Sequence, residues 1–230
     1  PLWGRVMLLD GIVQTTEKDE FIYHEMFAHV PCLTHEAPKT VLIVGGGDGG
    51  LLREVLRHQC IERVVVVEID AEVIELCKTY LPEHAQDAWN DSRVELMIAE
   101  GCEYLRTVSE RFDLILSDST DPVGPGAVLF SQIFYQNALS ALNPKGILIT
   151  QNGVSFLQLD ELHQTYQHLS MCTQYCGFYA AVVPTYVGGA MHFAWASKGV
   201  DCRTISLETV EARFKASGLS TQYYSPEVHI

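Results

Sequence analysis

No apolar run in this 230-residue sequence approaches the roughly 18 residues that a helix needs to cross a bilayer, which excludes a membrane-spanning helix. Basic residues are scarce. Lys and Arg number 15 against 29 Asp and Glu, for a net charge of -14. Nucleic acid and anionic membrane surfaces both require basic patches, so neither is the expected partner. The balance suits a cationic ligand, and equally an ordinary acidic surface. Paired cysteine motifs are missing too. The seven cysteines are scattered, with no CxxC pair and no His at zinc-finger spacing; Cys172 and Cys176 are helix-spaced. They are expected to be structural thiols in a reducing, cytoplasmic compartment, and no metal site is expected. Repeats, low-complexity tracts and Pro/Ser-rich linkers are absent, as is a signal peptide. The chain opens at Pro1 without an initiator Met, so an upstream segment is expected to be missing.

What is present is core-forming sequence: 47% of residues are apolar and 19% charged. Residues 3 to about 18 predict two short strands around the turn Asp10-Gly11. A helix is expected from Phe21, ended by Pro31. Beyond Pro38, continuous apolar strands (Val41–Val44, Val64–Val67, Val94–Ile98, Phe112–Leu116, Ile147–Thr150) alternate with amphipathic helical stretches. That alternation predicts βαβ units and a parallel sheet covered on both faces. A helix over Leu159–Cys176, strands at Tyr179–Val183 and Met191–Ala196, and a last helix near Leu207–Ala216 complete the pattern.

In open parallel sheets ligands bind where the strands end. After the first strand comes Gly45-Gly-Gly-Asp-Gly-Gly50, a GxGxxG turn formed by Gly45, Gly47 and Gly50. Glu68 ends the second strand, placed to accept the two hydroxyls of a ribose. Glu100-Gly101 follow the third, and Asp118-Ser119-Thr120-Asp121-Pro122 the fourth. This predicts a nucleoside ligand, with NAD and S-adenosylmethionine both admissible. Asp48, inside the glycine loop, would repel a diphosphate by about 1–4 kcal/mol at 4 Å. It therefore favours a cationic tail. Asp118 and Asp121, three apart at a strand end, suit a cation site or an acid/base pair. The competing structural readings are a glycine turn closing a βα connection, a solvated turn aspartate and an Asx-turn cap. Thr120 to Phe130, with two prolines and two glycines, predicts a mobile lid. His29, His35, His58, His84, His163, His168 and His229 are expected at the surface or as caps. His192, after Gly188-Gly189, is a candidate to line the site.

Gly45–Gly50 with Leu51-Leu52-Arg53-Glu54, Val67-Glu68-Ile69-Asp70, and Asp118–Pro122 with Gly124-Pro125 resemble the spermidine synthase (polyamine aminopropyltransferase) family. So do Leu9-Asp10-Gly11, Thr16–Phe21, Tyr23-His24-Glu25-Met26 and Pro184-Thr185-Tyr186, and the resemblance covers nearly the whole chain. It implies an α/β, S-adenosylmethionine-methyltransferase-like (Rossmann-like) doubly wound sheet, residues 21–230, preceded by the end of a truncated small β-domain, residues 1–20. It implies aminopropyl transfer from decarboxylated S-adenosylmethionine to a diamine, typically putrescine, giving spermidine and methylthioadenosine. No further cofactor and no metal are implied, and the enzyme would be a homodimer or homotetramer. The alternative is an S-adenosylmethionine-dependent amine N-methyltransferase; a nicotinamide dehydrogenase and a non-catalytic polyamine-binding protein rank lower.

Carried over by position, Asp118 resembles the family's proton acceptor. Tyr23, His24, Asp48, Asp118, Ser119, Thr120, Asp121 and Tyr186 resemble its polyamine-binding residues. Gly45, Gly47, Glu68, Glu100, Gly101 and Pro125 resemble its nucleoside contacts. Three departures stand out. Glu100 replaces the usual Asp, Ala127 stands where an acidic residue is usual, and an upstream Gln that contacts the nucleoside is absent.

Overall fold

A computed structural model gives the fold and describes residues 2–122 and 124–230. The chain runs β1 (Val6–Leu9), β2 (Ile12–Thr16), α1 (Glu20–Thr34), β3 (Thr40–Gly45), α2 (Gly50–Leu56), β4 (Arg63–Glu68), α3 (Ala71–Tyr80), α4 (Pro82–Ala85), β5 (Val94–Ile98), α5 (Gly101–Thr107), β6 (Phe112–Asp118), α6 (Gln132–Ala141), β7 (Leu142–Val154), α7 (Leu159–Cys172), β8 (Tyr175–Val182), β9 (Ala190–Ser197), α8 (Leu207–Ser217) and α9 (Pro226–His229). β1 and β2 form a separate antiparallel hairpin, and the other seven strands form one sheet ordered β5-β4-β3-β6-β7-β9-β8. Among the described residues no helix is long and apolar enough to cross a membrane.

The all-apolar strands lie at the centre because both of their faces are covered. Val41, Ile43, Val64, Val66, Leu114 and Leu116 face α1 and α2; their alternating neighbours Leu42, Val44, Val65, Val67 and Ile115 face α5 and α6. β3 pairs in parallel with β4 on one side and β6 on the other. The chain winds outward from β3 to β5 and then returns to β6, so a crevice opens between the carboxyl ends of β3 and β6.

Four expectations are corrected. The sheet is mixed: β9 and β8 run antiparallel at the β7 edge. Pro31 does not end α1, which continues to Thr34 with the His35 amide donating to the Pro31 carbonyl at 2.9 Å. Proline costs that helix one hydrogen bond, but burial of Val30, Cys32 and Leu33 holds the last turn in place. α7 stops at Cys172 and Cys176 lies in β8, because Thr173 turns extended and its hydroxyl bonds the Ser197 carbonyl of β9. Finally, His29, His35, His58 and His84 are buried rather than at the surface.

The buried histidines have partners that sequence spacing does not reveal. His29 Nδ1 lies 3.0 Å from His58 Nε2, and His29 Nε2 lies 3.1 Å from Glu54 of α2. Glu54 also receives Arg53 at 2.9 Å and Arg57 at 2.6 Å. Burial alone would raise its pKa; His29 and the two guanidinium groups bring it down to about 2. Removing this carboxylate takes a buried acceptor from His29, Arg53 and Arg57, of which only Arg53 keeps another carboxylate, Glu20. Glu54→Ala is therefore expected to cost about 3–5 kcal/mol of unfolding free energy. Urea denaturation checks this, and a loss below about 1 kcal/mol would contradict it.

Candidate active site

The carboxyl ends of β5, β4, β3, β6 and β7 line up along one edge of the sheet, about 4.8 Å apart. Over them lies a single cavity of about 770 Å³, roofed by the β1–β2 hairpin, the start of α1 and the loop before β9. All the residues singled out above as polyamine or nucleoside contacts line it. Strand order spaces them. Glu100 and Glu68 sit over β5 and β4, the glycine loop over β3, Asp118 over β6, and Gln151 and Gly153 over β7.

The glycines let the loop approach closely. Gly45 has φ +82, and a Cβ there would lie 2.1 Å from the Asp118 carbonyl oxygen. The Gly46 amide donates to that same oxygen at 3.1 Å, joining the loop to the end of β6. A Cβ on Gly50 would lie 2.3 Å from the His24 ring, so this glycine makes room for an active-site side chain.

Asp118, half-buried, ends β6. Its carboxylate accepts the Tyr23 hydroxyl at 2.7 Å. Burial raises its pKa and the Asp48 charge adds to that, while His24 and Tyr23 oppose; the result is about 6. Beside it, His24 Nε2 is 3.5 Å from Asp48, whose other oxygen accepts the Gly50 amide at 2.9 Å. His24 Nδ1 meets Glu20 at 2.5 Å, one helical turn earlier on α1. Burial would lower the His24 pKa, but Asp48, Glu20 and Asp118 carry it up to about 9. Arg53 grips Glu20 with both terminal nitrogens, at 3.1 and 3.0 Å, and donates to the carbonyls of Glu83 and His84. Glu20 accordingly stays ionised, with a pKa of about 2 despite its burial.

Further along, the Tyr186 hydroxyl donates to the Gln14 carbonyl of β2 at 2.6 Å. Its ring stands 6.0 Å from that of Tyr23. Asp19, ahead of α1, accepts from the Thr185 amide and hydroxyl and from the Thr16 hydroxyl, fastening the hairpin and this loop to α1. Asp121 accepts Gln158 Nε2 at 3.0 Å. Thr120 donates to the Asp121 carbonyl at 3.4 Å. Pro125 sits in a short 3-10 segment, Gly124–Phe130, whose Leu129 packs toward Gly101. Of the segment expected to be a lid, Val123 lies outside the described residues.

At the opposite end Glu68 is buried, which raises its pKa, and its Oε1 accepts the Asp70 amide at 3.0 Å. Both oxygens of Glu100 cap α5, accepting the amides of Cys102 and Glu103 at 2.8 Å each. His192 does not line the cavity. Its neighbours Met191 and Phe193 face the α1 side of the sheet, and its ring turns to Phe178 on the other. Sequence reading missed Glu20, Arg53 and Gln158. The i,i+4 spacing of Glu20 and His24 was a visible signal, whereas Arg53 and Gln158 carried none.

Among the described residues, His24, Asp48 and Asp118 bring potential metal-ligand atoms within 4.8 Å of one another. Held as a cation, His24 offers no lone pair at Nε2, so Asp48 and Asp118 are the two acceptors this trio presents.

The spermine/spermidine synthase domain profile matches residues 20–205. The chain is 54% identical over 230 residues to a polyamine aminopropyltransferase of Pseudomonas syringae pv. tomato, covering 100% of this chain and 80% of that protein. It is 52% identical over 227 residues to one from Shigella boydii, covering 99% and 79%. Among solved structures, a spermidine synthase in complex with the transition state analogue AdoDATO superposes with TM-score 0.94 at 40% identity, covering 100% of this chain and 77% of that one. The spermidine synthase from Thermotoga maritima gives 0.89 at 38%, covering 100% and 76%.

The buried histidines predict how stability varies with pH. His58 is held by burial and by His29 at a pKa of about 3, against about 6.5 in an unfolded chain. It binds its proton more readily when unfolded, so stability falls as pH drops from about 6.5 toward 3. His35, His84 and His229, also lowered by burial, act in the same direction. His24 acts in the opposite one. Its contribution is complete below about pH 6.5 and is lost as pH rises toward 9. Asp118, raised to about 6, and Glu68, also raised, pull the other way on the acid limb, but the four lowered histidines outnumber them, so unfolding free energy should peak near pH 6.5, each group contributing a slope of up to about 1.4 kcal/mol per pH unit. Urea unfolding between pH 5 and 9 tests this, with His58→Asn flattening the acid limb and His24→Asn the alkaline one. A flat profile would sink the assignment.

Proposed function

The chain belongs to the spermine/spermidine synthase family and is a polyamine aminopropyltransferase, and we propose that it transfers the aminopropyl group of decarboxylated S-adenosylmethionine to putrescine, giving spermidine and methylthioadenosine. The observation that carries the reading is the position of Asp118. It is a half-buried carboxylate over β6, between a nucleoside-like half over β5–β4–β3 and an amine-like half over β6–β7.

In this reading Glu68 accepts the ribose hydroxyls with the oxygen that the Asp70 amide leaves free. Gly45 and Gly47 let the donor lie against backbone, and Pro125 walls the base. Glu100 and Gly101 meet the adenine, Glu100 with the lone pairs left over from capping α5. Tyr23, Tyr186, His24, Asp48 and the Asp118–Asp121 segment hold the amine.

The amine nitrogen attacks the carbon next to the sulfonium. A C–N bond forms, the C–S bond breaks, and its electron pair neutralises sulfur as methylthioadenosine leaves. The nucleophile must first be a free amine. With a lysine-like pKa near 10.4, freeing its lone pair at pH 7 costs about 4.6 kcal/mol. Raising Asp118 from its ordinary value to about 6 narrows the mismatch between base and ammonium by about 3 kcal/mol. Tyr23 donates to Asp118 and fixes which oxygen faces the amine. Asp48 favours a donor whose tail is a plain ammonium over one that also bears a carboxylate. His24, held as a cation, offsets part of the carboxylate charge around the amine. The reading also places the enzyme in the cytoplasm as a homodimer or homotetramer.

Asp118→Asn should keep nucleoside binding while lowering turnover at least about 10²-fold, as for the loss of a general base. The check is methylthioadenosine release with putrescine beside calorimetric binding of methylthioadenosine; near-parental turnover would remove Asp118 from the role. The donor choice separates aminopropyl from methyl transfer. Decarboxylated S-adenosylmethionine should bind at least about tenfold better than the intact compound, and Asp48→Asn should narrow the gap. Equal affinities in the parent protein would favour the N-methyltransferase alternative.

A further inference from the structure

Beyond Asp121 the cavity is lined by Gln158, between β7 and α7, with Val154 and Leu157 beside it. Gln158 Nε2 donates to Asp121 at 3.0 Å and to Glu161 of α7 at 3.2 Å. Its Oε1 accepts the Val154 amide at 2.8 Å, which fixes the orientation of the group. The same amide occupies the space a side chain at position 153 would need. A Cβ on Gly153 would lie 2.5 Å from Gln158 Oε1, and Gly153 has φ +71. Gln158 and Asp121 both line the cavity, whereas Glu161 stands behind Gln158, outside the lining.

From this arrangement, and resting on the proposed aminopropyl transfer to a diamine, we infer that Gln158 closes the amine channel and sets the length of the diamine it accepts. The amide is both the end wall and the bridge between two carboxylates. The Asp121 charge adds to burial in raising the Glu161 pKa, so the two carboxylates sense one another. Shortening the side chain extends the channel toward Glu161. It also uncovers an acidic pair suited to the ammonium of a longer diamine. Glutamate keeps the bulk of the wall, loses both donated hydrogen bonds and adds a negative charge that acts on the ammonium of either diamine alike.

The test compares putrescine with cadaverine, one methylene longer. Affinities are measured by calorimetry on the methylthioadenosine-loaded protein, and turnover is followed with decarboxylated S-adenosylmethionine. Turnover by the parent reports on the reaction itself, and the affinity ratio reports on length selection whether or not turnover occurs. The parent should prefer putrescine. Gln158→Ala should reduce that preference at least about tenfold, the scale on which a pocket discriminates a single methylene. Gln158→Glu, of equal size, should hold the ratio within about threefold. Gln158→Asn, shorter by one methylene and still an amide, should shift the ratio part of the way, and it carries the test should the alanine variant not fold. An unchanged ratio in the shortened variants, or an equal shift in Gln158→Glu, would overturn Gln158 as the determinant of length.

Discussion

The active site depends on one close approach, that of the glycine loop after β3 to the last residue of β6. The Gly46 amide bonds the Asp118 carbonyl, and Gly45 leaves no room there for a side chain. The crevice between two parallel strands thereby becomes a fixed corner. In it the Asp118 side chain has the glycine loop on one side and Tyr23 on the other. A displacement of that loop would move Asp48 and Asp118 together, because Asp48 is set by the turn that the glycines allow. Groups that act on a bound substrate require this kind of constraint, since a misplacement of about 1 Å can cost about 10²-fold in rate.

Around that corner, charge is organised in alternation. Arg53, Glu20, His24 and Asp48 follow one another in contact, from the α4 carbonyls inward to the cavity. Each member lowers the cost of burying the next, as it must where isolated buried ions are expensive. A second chain, of Arg57, Glu54, His29 and His58, runs behind it under α1, and Arg53 touches both. One pair of packed helices therefore supports the fold and sets the protonation of the site. His24 stays a cation because its environment is built from carboxylates, and His58 stays neutral because burial disfavours its charged form and its nearest partner is another imidazole.

Sequence pattern revealed the winding of the sheet and the residues at the strand ends, for a physical reason. An apolar run such as Val64–Val67 can only be a strand covered on both faces, and in such a sheet the site lies where the strands end. Positions set by local spacing were therefore readable, as in the glycine loop, Glu68 and Asp118–Asp121, which all line the cavity. Roles set by contacts distant in sequence were not. His29 and His58 are 29 residues apart, and Gln158 reaches Asp121 across 37. Pro31 misled because a local rule for ending helices yielded to the burial of the turn that follows it. The mixed edge was hidden because an antiparallel strand buried on both faces reads like a parallel one.

A further parallel strand beyond β7 would require a crossover and would begin at the far end of the sheet. β9, running antiparallel, begins at the cavity edge instead, with Met191 opposite Val154. The β8–β9 loop is thereby delivered over the carboxyl end of β7. Asp19 fastens it there through Thr185, so Tyr186 faces Tyr23. The β5–β4–β3 side of the cavity is made by the winding common to open α/β sheets. The β6–β7 side is closed by the reversed strand, whose loop returns at this edge opposite Asp118.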